Sequence, residues 1–115
     1  MANTFKLVSK AGVTTADVIY TVASSTTTVL LGIMLGNTTT SQVTATVTIE
    51  SDTSNRSGAN NEANQNVELV TNAPIPAGSS LELLAGNKVV LETTDSISVT
   101  ATGATDVALS YMEIT

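Results

Sequence analysis

The sequence contains no histidine, no cysteine and no tryptophan, and only three aromatic residues: Phe5, Tyr20 and Tyr111. Most protein metal sites and activated nucleophiles use histidine or cysteine, so the common catalytic designs cannot be built here. The lack of cysteine also excludes a disulfide framework, and a small domain without one depends on its core and its neighbours for stability. We therefore expect a protein that is not an enzyme and that binds no metal and no cofactor.

Charge is scarce as well, at 12% of the residues, and ten acidic against four basic side chains give a net charge of −6. A negative chain repels nucleic-acid phosphates and anionic lipid headgroups, so we expect neither nucleic acid nor a membrane as partner. The most apolar run, 29–35, is far shorter than the about 20 residues of a membrane helix. No apolar run of signal-peptide length follows the N-terminus, which is typical of an unprocessed cytosolic start.

Hydroxyl side chains take the place of charge, with 21 threonines and 12 serines among the 115 residues. Apolar and hydroxyl residues alternate with a period of two, most clearly over 42–51, which is the pattern of a half-buried strand. Shorter alternating segments and turn signals recur at intervals of about 8–12 residues along the rest of the chain. They predict nine strands, at 5–8, 18–22, 28–35, 42–51, 67–70, 81–84, 89–91, 97–101 and 107–114.

This spacing predicts an all-β fold, since nothing in the chain favours a long helix. A length of 115 residues suits one domain, and we predict a single antiparallel β-sandwich of about eight to nine strands over 1–115. Both a jelly-roll-like and an immunoglobulin-like arrangement fit the pattern.

Residues 52–66 interrupt the strands with a stretch that is rich in asparagine and serine and almost free of apolar residues. It predicts a long exposed loop, and loops of this length are uncommon unless they bind something or are disordered. A contact loop ordered by a neighbour and a merely solvated excursion are equally good interpretations. If the loop makes contacts, the candidate interface residues are Asn55, Arg56, Asn60 and Asn61.

The segment 28–35 is apolar on both of its alternating faces, with Leu30, Gly32 and Met34 on one of them. The simpler interpretation is a central strand covered on both sides. The alternative is an outward patch of Leu30 and Met34 at a subunit interface, where Gly32 would allow close approach.

Carboxylates are the only ordinary candidates for a general base. Solvated faces explain them better than a hydrolytic pair, because four of them fall at outward strand positions: Glu50, Glu68, Glu82 and Glu92. No catalytic residue is predicted, and the oxygen donors of 52–66 do not match an EF-hand. The glycosylation tripeptides at 37–39 and 55–57 are expected by chance in so Asn- and Thr-rich a chain. The Asp95 carboxylate is expected to close a turn by accepting a backbone N–H.

A series of turns and strands fills the C-terminal half. A proline–glycine turn at 73–78 leads into a strand at 81–84, and a strand–turn–strand unit follows over 88–99. With the segments 1–6, 20–22 and 26–28, this series resembles small virion proteins of tailed phages, especially cyanophages and marine phages. Their pattern is Leu-x-x-Gly-Asp-x-Ile-x-Val. Here Thr94 replaces the usual glycine, so we expect a different turn type before Asp95, and the similarity omits 52–66.

The resemblance implies a non-enzymatic structural component of a phage virion, assembled in the host cytoplasm. Our leading interpretation is a capsid decoration or cement protein that binds the major capsid protein or other virion proteins and stabilises the shell. A tail, neck or fibre component is the alternative, and a glycan-binding sandwich is disfavoured by the few aromatic residues. We expect exposed edge strands to pair with another subunit or the lattice, and hence a homo-oligomer, either a dimer or a trimer.

Overall fold

The computed structural model describes residues 2–51, 65–84 and 87–115. In these ranges the chain forms nine strands, all pairings are antiparallel and there is no helix, which confirms the predicted all-β sandwich. The strands are β1 (Asn3–Val13), β2 (Asp17–Thr21), β3 (Thr27–Asn37), β4 (Val43–Ser51), β5 (Gln65–Ile75), β6 (Ser80–Leu83), β7 (Val89–Leu91), β8 (Ser96–Ala101) and β9 (Thr105–Ile114).

The strands form two sheets whose order identifies a jelly roll. The five-stranded sheet has the order β1, β9, β3 and then β6, with β7 also paired to β3; the four-stranded sheet has the order β2, β8, β4, β5. The first strand therefore lies beside the last, and β1 to β4 alternate between the sheets. Immunoglobulin sandwiches keep the first two strands in one sheet, so the jelly-roll alternative is the correct one.

The two chain ends meet at one corner of the five-stranded sheet. Ala2 and Thr115 extend the ladder between β1 and β9 by exchanging two backbone hydrogen bonds: the Ala2 N–H donates to the Thr115 carbonyl (3.2 Å), and the Thr115 N–H donates to the Ala2 carbonyl (3.0 Å). The first and last described residues are thus direct neighbours.

The core lies between the sheets and follows the alternation of the sequence. In β4, Val43, Ala45 and Val47 are buried and Ile49 is half-buried, while the threonines between them point outward. One-sided burial on a pleated strand requires this period of two. The other buried apolar side chains are Val13, Ile19, Val22, Leu30, Ile33, Leu35, Ile75, Leu91, Ile97, Val99, Ala101, Val107, Leu109 and Tyr111.

A β-bulge in the middle of β3 exchanges its two faces. Leu30 and Gly32 pair with consecutive residues of β9, so Leu31 is one residue in excess. Such an insertion moves the following side chains to the opposite side of the strand. Leu30 consequently lies in the core with 0% exposure, and Met34, beyond the bulge, lies outside with 46% exposure. The predicted outward position is therefore wrong for Leu30 and correct for Met34. The simpler interpretation, a central strand covered on both sides, is correct about the position of β3 in its sheet, but only the inner face of the strand is covered.

A second bulge lies at Ala11 and Gly12. Both residues lie within β1, where the pairing shifts between Lys10 and Val13. Gly12 has a φ of +68°, and its N–H donates to Oδ1 of Asp106 at 2.9 Å. Glycine marks bulges as well as turns because it enters the left-handed region without strain.

The turn before Asp95 has a left-handed backbone although threonine occupies it. Thr94 has a φ of +71°, in a region that glycine adopts readily and β-branched residues rarely enter. The Asp95 N–H donates to the Glu92 carbonyl (3.0 Å), and the Asp95 carboxylate accepts from the Glu92 N–H (3.0 Å). The predicted closure of this turn by Asp95 is confirmed, and at Thr94 the turn keeps a geometry that favours glycine.

Candidate protein-binding surfaces

The outer side of the five-stranded sheet is apolar. One row of directly opposed residues runs across four strands, from Phe5 through Met112 and Val29 to Val90. Residues that oppose each other in a ladder point to the same side of the sheet. We call this surface the apolar face and define it by Phe5, Leu7, Val29, Leu31, Met34, Val90 and Met112.

The side chains of the apolar face are unusually open to solvent. Phe5 is 72% and Leu7 65% exposed, and Met34 and Val90 are also classed among the exposed large hydrophobic residues. In the described part of the chain only two others share that property, Val18 and Val67, and both belong to strands of the four-stranded sheet. Concentrations of exposed apolar surface mark interaction sites.

Two carboxylates lie at one end of the apolar face. Glu82 opposes Met34, and Asp106 opposes Gly36, so both are near the Gly36 end of β3. The row that contains Phe5 and Val90 has no charged residue, although Lys88 and Glu92 flank β7 on either side of it. That row can therefore be covered without burying an ion, which would be costly unless it were paired.

Two shallow hollows border Met34 on this surface. One, of about 280 Å³, lies against Leu31, Glu82, Leu84 and Ser110. The other, of about 380 Å³, lies against Ser9, Gly36, Ser80 and Ala108. Small-molecule sites are concave and hold convergent polar groups, whereas this surface is broad and open. Its shape suits contact with another protein surface.

The outer side of the four-stranded sheet is hydroxyl-rich, as the alternating pattern predicts. Thr46 opposes Thr100, and Thr48 opposes Ser98. The Glu50 carboxylate lies among the hydroxyls, accepting from Ser96 (3.1 Å) and Ser98 (3.4 Å). We call this surface the hydroxyl face and define it by Thr44, Thr46, Thr48, Glu50, Glu68 and Thr100. Ser96 and Ser98, which donate to Glu50, are themselves buried at 7% and 5% exposure. The predicted pattern of hydroxyl-rich outer faces thus holds for one sheet and is wrong for the other.

A cluster of polar side chains lies inside one end of the sandwich, where sequence reasoning predicted none. The Glu113 carboxylate accepts from the Tyr20 hydroxyl (2.6 Å) and pairs with Lys6 Nζ (2.8 Å). The Tyr20 hydroxyl also shares a hydrogen bond with the Thr28 hydroxyl (2.8 Å), and the Tyr20 and Tyr111 rings have centroids 4.3 Å apart. These contacts join strands of both sheets.

The polar cluster shifts the acid–base properties of its members. The hydrogen bond from Lys6, followed by the one from Tyr20, holds the pKa of Glu113 below its usual range. Burial, followed by the bond to Glu113, raises the pKa of Tyr20, and burial also raises the pKa of Tyr111. The Tyr20 hydroxyl donates to Glu113 and shares a hydrogen bond with Thr28, so the cluster links β2 of one sheet to β3 and β9 of the other.

The described ranges contain no group of three or more metal-ligating side chains that could hold an ion. Glu68 and Glu82, two of the four carboxylates predicted at outward strand positions, belong to strands of different sheets. No helix that could span a membrane occurs in the part of the chain that the structure describes.

Asn37, the first residue of the tripeptide 37–39, is built into the fold. Its side chain is 4% exposed; Nδ2 donates to the carbonyls of Ser41 (2.8 Å) and Ile75 (2.9 Å), and Oδ1 accepts from the Thr39 N–H (2.8 Å). An amide used in this way cannot act as a glycosylation acceptor in the folded protein. Through these bonds the amide holds the segment that follows β3 against the end of β5.

The last two residues of the predicted loop 52–66 belong to β5, which begins at Gln65, and residues 52–64 lie outside the described residues. Candidate interface residues Asn55, Arg56, Asn60 and Asn61 lie outside the described residues, as does the tripeptide 55–57. Of the sequence-predicted interface residues, only Met34 is found on a described surface. The neighbours that complete the apolar face were not predicted.

Comparisons with known proteins give a distant structural neighbour. No protein-family model matches the sequence, and no curated protein matches it. The neighbour is a solved structure described under the heading "Bacillus endospore appendages form a novel family of disulfide-linked pili", with a TM-score of 0.48, 18% sequence identity, and coverage of 99% of this chain and 87% of that chain. The 115 residues of the present chain contain no cysteine and cannot form a disulfide.

Proposed function

We propose that this protein is a non-enzymatic structural component of a tailed-phage virion and that it decorates the capsid by binding the outer shell. The observation that carries the proposal is the character of its two outer surfaces: each sheet presents a broad face, one rich in threonine hydroxyls and one rich in apolar side chains. The sequence resemblance supplies the phage context.

The hydroxyl face suits attachment to a protein lattice. A decoration protein binds through many weak contacts to a repeated surface, and threonine and serine hydroxyls form hydrogen bonds without the desolvation cost of charges. Two carboxylates lie in this face: Glu50 accepts hydrogen bonds from Ser96 and Ser98, and Glu68, which opposes Thr48, accepts one from Thr71. We therefore expect the hydroxyl face to be the one that contacts the major capsid protein. Jelly rolls are also common among viral capsid domains, which supports the proposal by analogy of fold alone.

A tail, neck or fibre position is the competing location within the same class. Copy number separates the two, since a shell protein is present in hundreds of copies and a tail protein in tens or fewer. A glycan-binding role finds little support, because Tyr20 and Tyr111 pack on each other inside the sandwich and leave Phe5 as the one strongly exposed ring. Quantitative mass spectrometry of purified virions of a phage that encodes this sequence would measure the copy number.

Co-sedimentation with undecorated shells of that phage tests the proposal directly. We expect the wild-type protein to bind at micromolar concentration. Thr100→Glu places a charge on the hydroxyl face. We expect it to weaken binding by about tenfold or more, the usual effect of burying an unpaired charge in a protein interface. Asn87→Asp adds the same charge at an exposed turn and serves as the matched control. No binding of the wild-type protein would favour the tail location instead.

A further inference from the structure

The outer side of the five-stranded sheet, which contains the apolar face, is large enough for a stable interface between two protein chains. Four strand widths at about 4.8 Å and some ten residues at about 3.3 Å give a flat area of roughly 19 by 33 Å. This is about 630 Å² before the relief of the side chains is counted, close to the about 800 Å² per partner in a standard interface. Left uncovered, a patch of this size would be a liability for a soluble protein.

The distribution of charge favours a second copy of the same chain over the face. Each copy carries a net charge of −6, so two copies can pack only where their carboxylates avoid one another. Glu82 and Asp106 both lie at the Gly36 end, and the opposite row, with Phe5 and Val90, is uncharged. A two-fold axis that runs across the strands would place the acidic end of each copy over the uncharged row of the other.

The free edge of the same sheet is less suited to self-association. β1 is an edge strand, and Lys6 and Lys10 occupy its inward positions, where they pair with Glu113 (2.8 Å) and Asp17 (3.0 Å). Inward-pointing charges on an edge strand are a known protection against the addition of another strand. A second β1 would have to displace or bury these ion pairs. The face offers contact area without that cost.

We propose that the apolar face is a homodimer interface, on which a second copy stacks its own five-stranded sheet in the antiparallel orientation described above. The two sheets would lie about 10 Å apart, the usual distance between stacked sheets. The inference depends on this surface alone and is independent of the proposed role in a phage particle. A dimer of this kind would leave both hydroxyl faces outward.

Sedimentation velocity and light scattering between about 1 and 200 µM would test the dimer, a range that detects dissociation constants down to the micromolar level. We expect a species of twice the 11.7 kDa chain mass. Met34→Lys and Leu7→Lys each place a charge in the interface, and we expect each to raise the dissociation constant by about tenfold or more. Val18→Lys is the matched control, because Val18 is 45% exposed, against 46% for Met34, but lies in the four-stranded sheet.

Far-UV circular dichroism would establish that each variant is folded, which is expected because each replaced side chain is between 45% and 65% exposed. Weakened association in Met34→Lys and Leu7→Lys, with normal association in Val18→Lys, would support the interface. A wild-type protein that stays monomeric throughout the range overturns the proposal. A dimer that survives both lysine substitutions also overturns it and would assign association to another surface, such as the edge of β1.

Discussion

Replacing Asn37 with aspartate should destabilise the protein strongly. The substitution keeps an oxygen to accept the Thr39 N–H but removes both Nδ2 donors. The buried Ile75 carbonyl then loses its donor and faces a carboxyl oxygen, whereas the Ser41 carbonyl can still accept from the Thr39 hydroxyl (2.7 Å). The site is 4% exposed, so water cannot replace the lost bonds without opening the structure. A buried group left without a partner costs about 1–3 kcal/mol, so the Ile75 carbonyl alone accounts for a loss of that size.

Urea denaturation followed by circular dichroism, at a single protein concentration and neutral pH, would measure this loss. Unfolding entropy of about 2.1 cal/mol/K per residue implies that a loss of about 3 kcal/mol lowers the midpoint of thermal unfolding by about 12 °C. Part of the loss should be recovered at low pH, because the new carboxyl group of the Asn37→Asp variant, once protonated, can donate to one of the two carbonyls.

Asn87→Asp, at an exposed position, makes the same chemical change without a buried partner and should alter stability by less than about 0.5 kcal/mol. A deficit this small in the Asn37→Asp variant would refute the reasoning that the Asn37 amide fastens β5 to the end of β3.

Three further substitutions follow from single observations. Thr94→Gly should raise stability by up to about 1 kcal/mol, because it relieves the left-handed strain at φ +71° at some cost in chain entropy. Gly103→Ala should lower stability by about 1–3 kcal/mol, because an added Cβ would lie 2.7 Å from Val43 Cγ1 in the core. Glu113→Gln should flatten the dependence of stability on pH: the pKa of Glu113 is lowered in the folded state, so its contribution is present above the ordinary value of 4.5 and is lost as the pH falls below it. Thermal unfolding measures the first two effects, and urea unfolding between pH 7 and pH 3 measures the third.

Controls and contrary outcomes are available for each of these. Gly36→Ala is the counterpart of Gly103→Ala, since its added Cβ would meet Asp106 at an ordinary 3.9 Å; equal losses in both variants would contradict a specific clash. A marked loss of stability in Thr94→Gly would mean that the side chain contributes more than its backbone strain costs. If wild type and Glu113→Gln lost stability in parallel on acidification, the ion pair with Lys6 and the bond from Tyr20 would not be the source of the dependence.

Much of the fold could be predicted because antiparallel strands with one buried side impose a period of two on the sequence. The alternation in β4 identified both its extent and its inward residues. β1 was predicted only at 5–8 although it spans Asn3–Val13, because its inward positions include Lys6 and Lys10. Ion pairs hold these lysines in place of apolar packing, and no apolar alternation can reveal them.

The apolar face could be predicted only in part. Met34 was identified as a candidate, but its partner Leu30 lies in the core because of the excess residue at Leu31. Phe5 and Val90 belong to strands that are far apart in sequence. The strand pairings bring them into one row with Val29, and a local sequence pattern does not show which strands pair. Which side of a strand faces the core depends on these long-range partners. A surface assembled from four strands is therefore a property of the topology.

Because Ala2 pairs with Thr115, the path of the chain returns to the corner at which it starts. A short peptide could join these neighbouring ends, and a circularly permuted chain opened at the exposed turn 76–79 would be expected to reach the same sheets. Any tag or fusion partner placed at either end would emerge from the same corner, beside β1 and β9. Fluorescent labels at the two ends would therefore report on one location, and engineering that must leave that corner clear should use an internal turn.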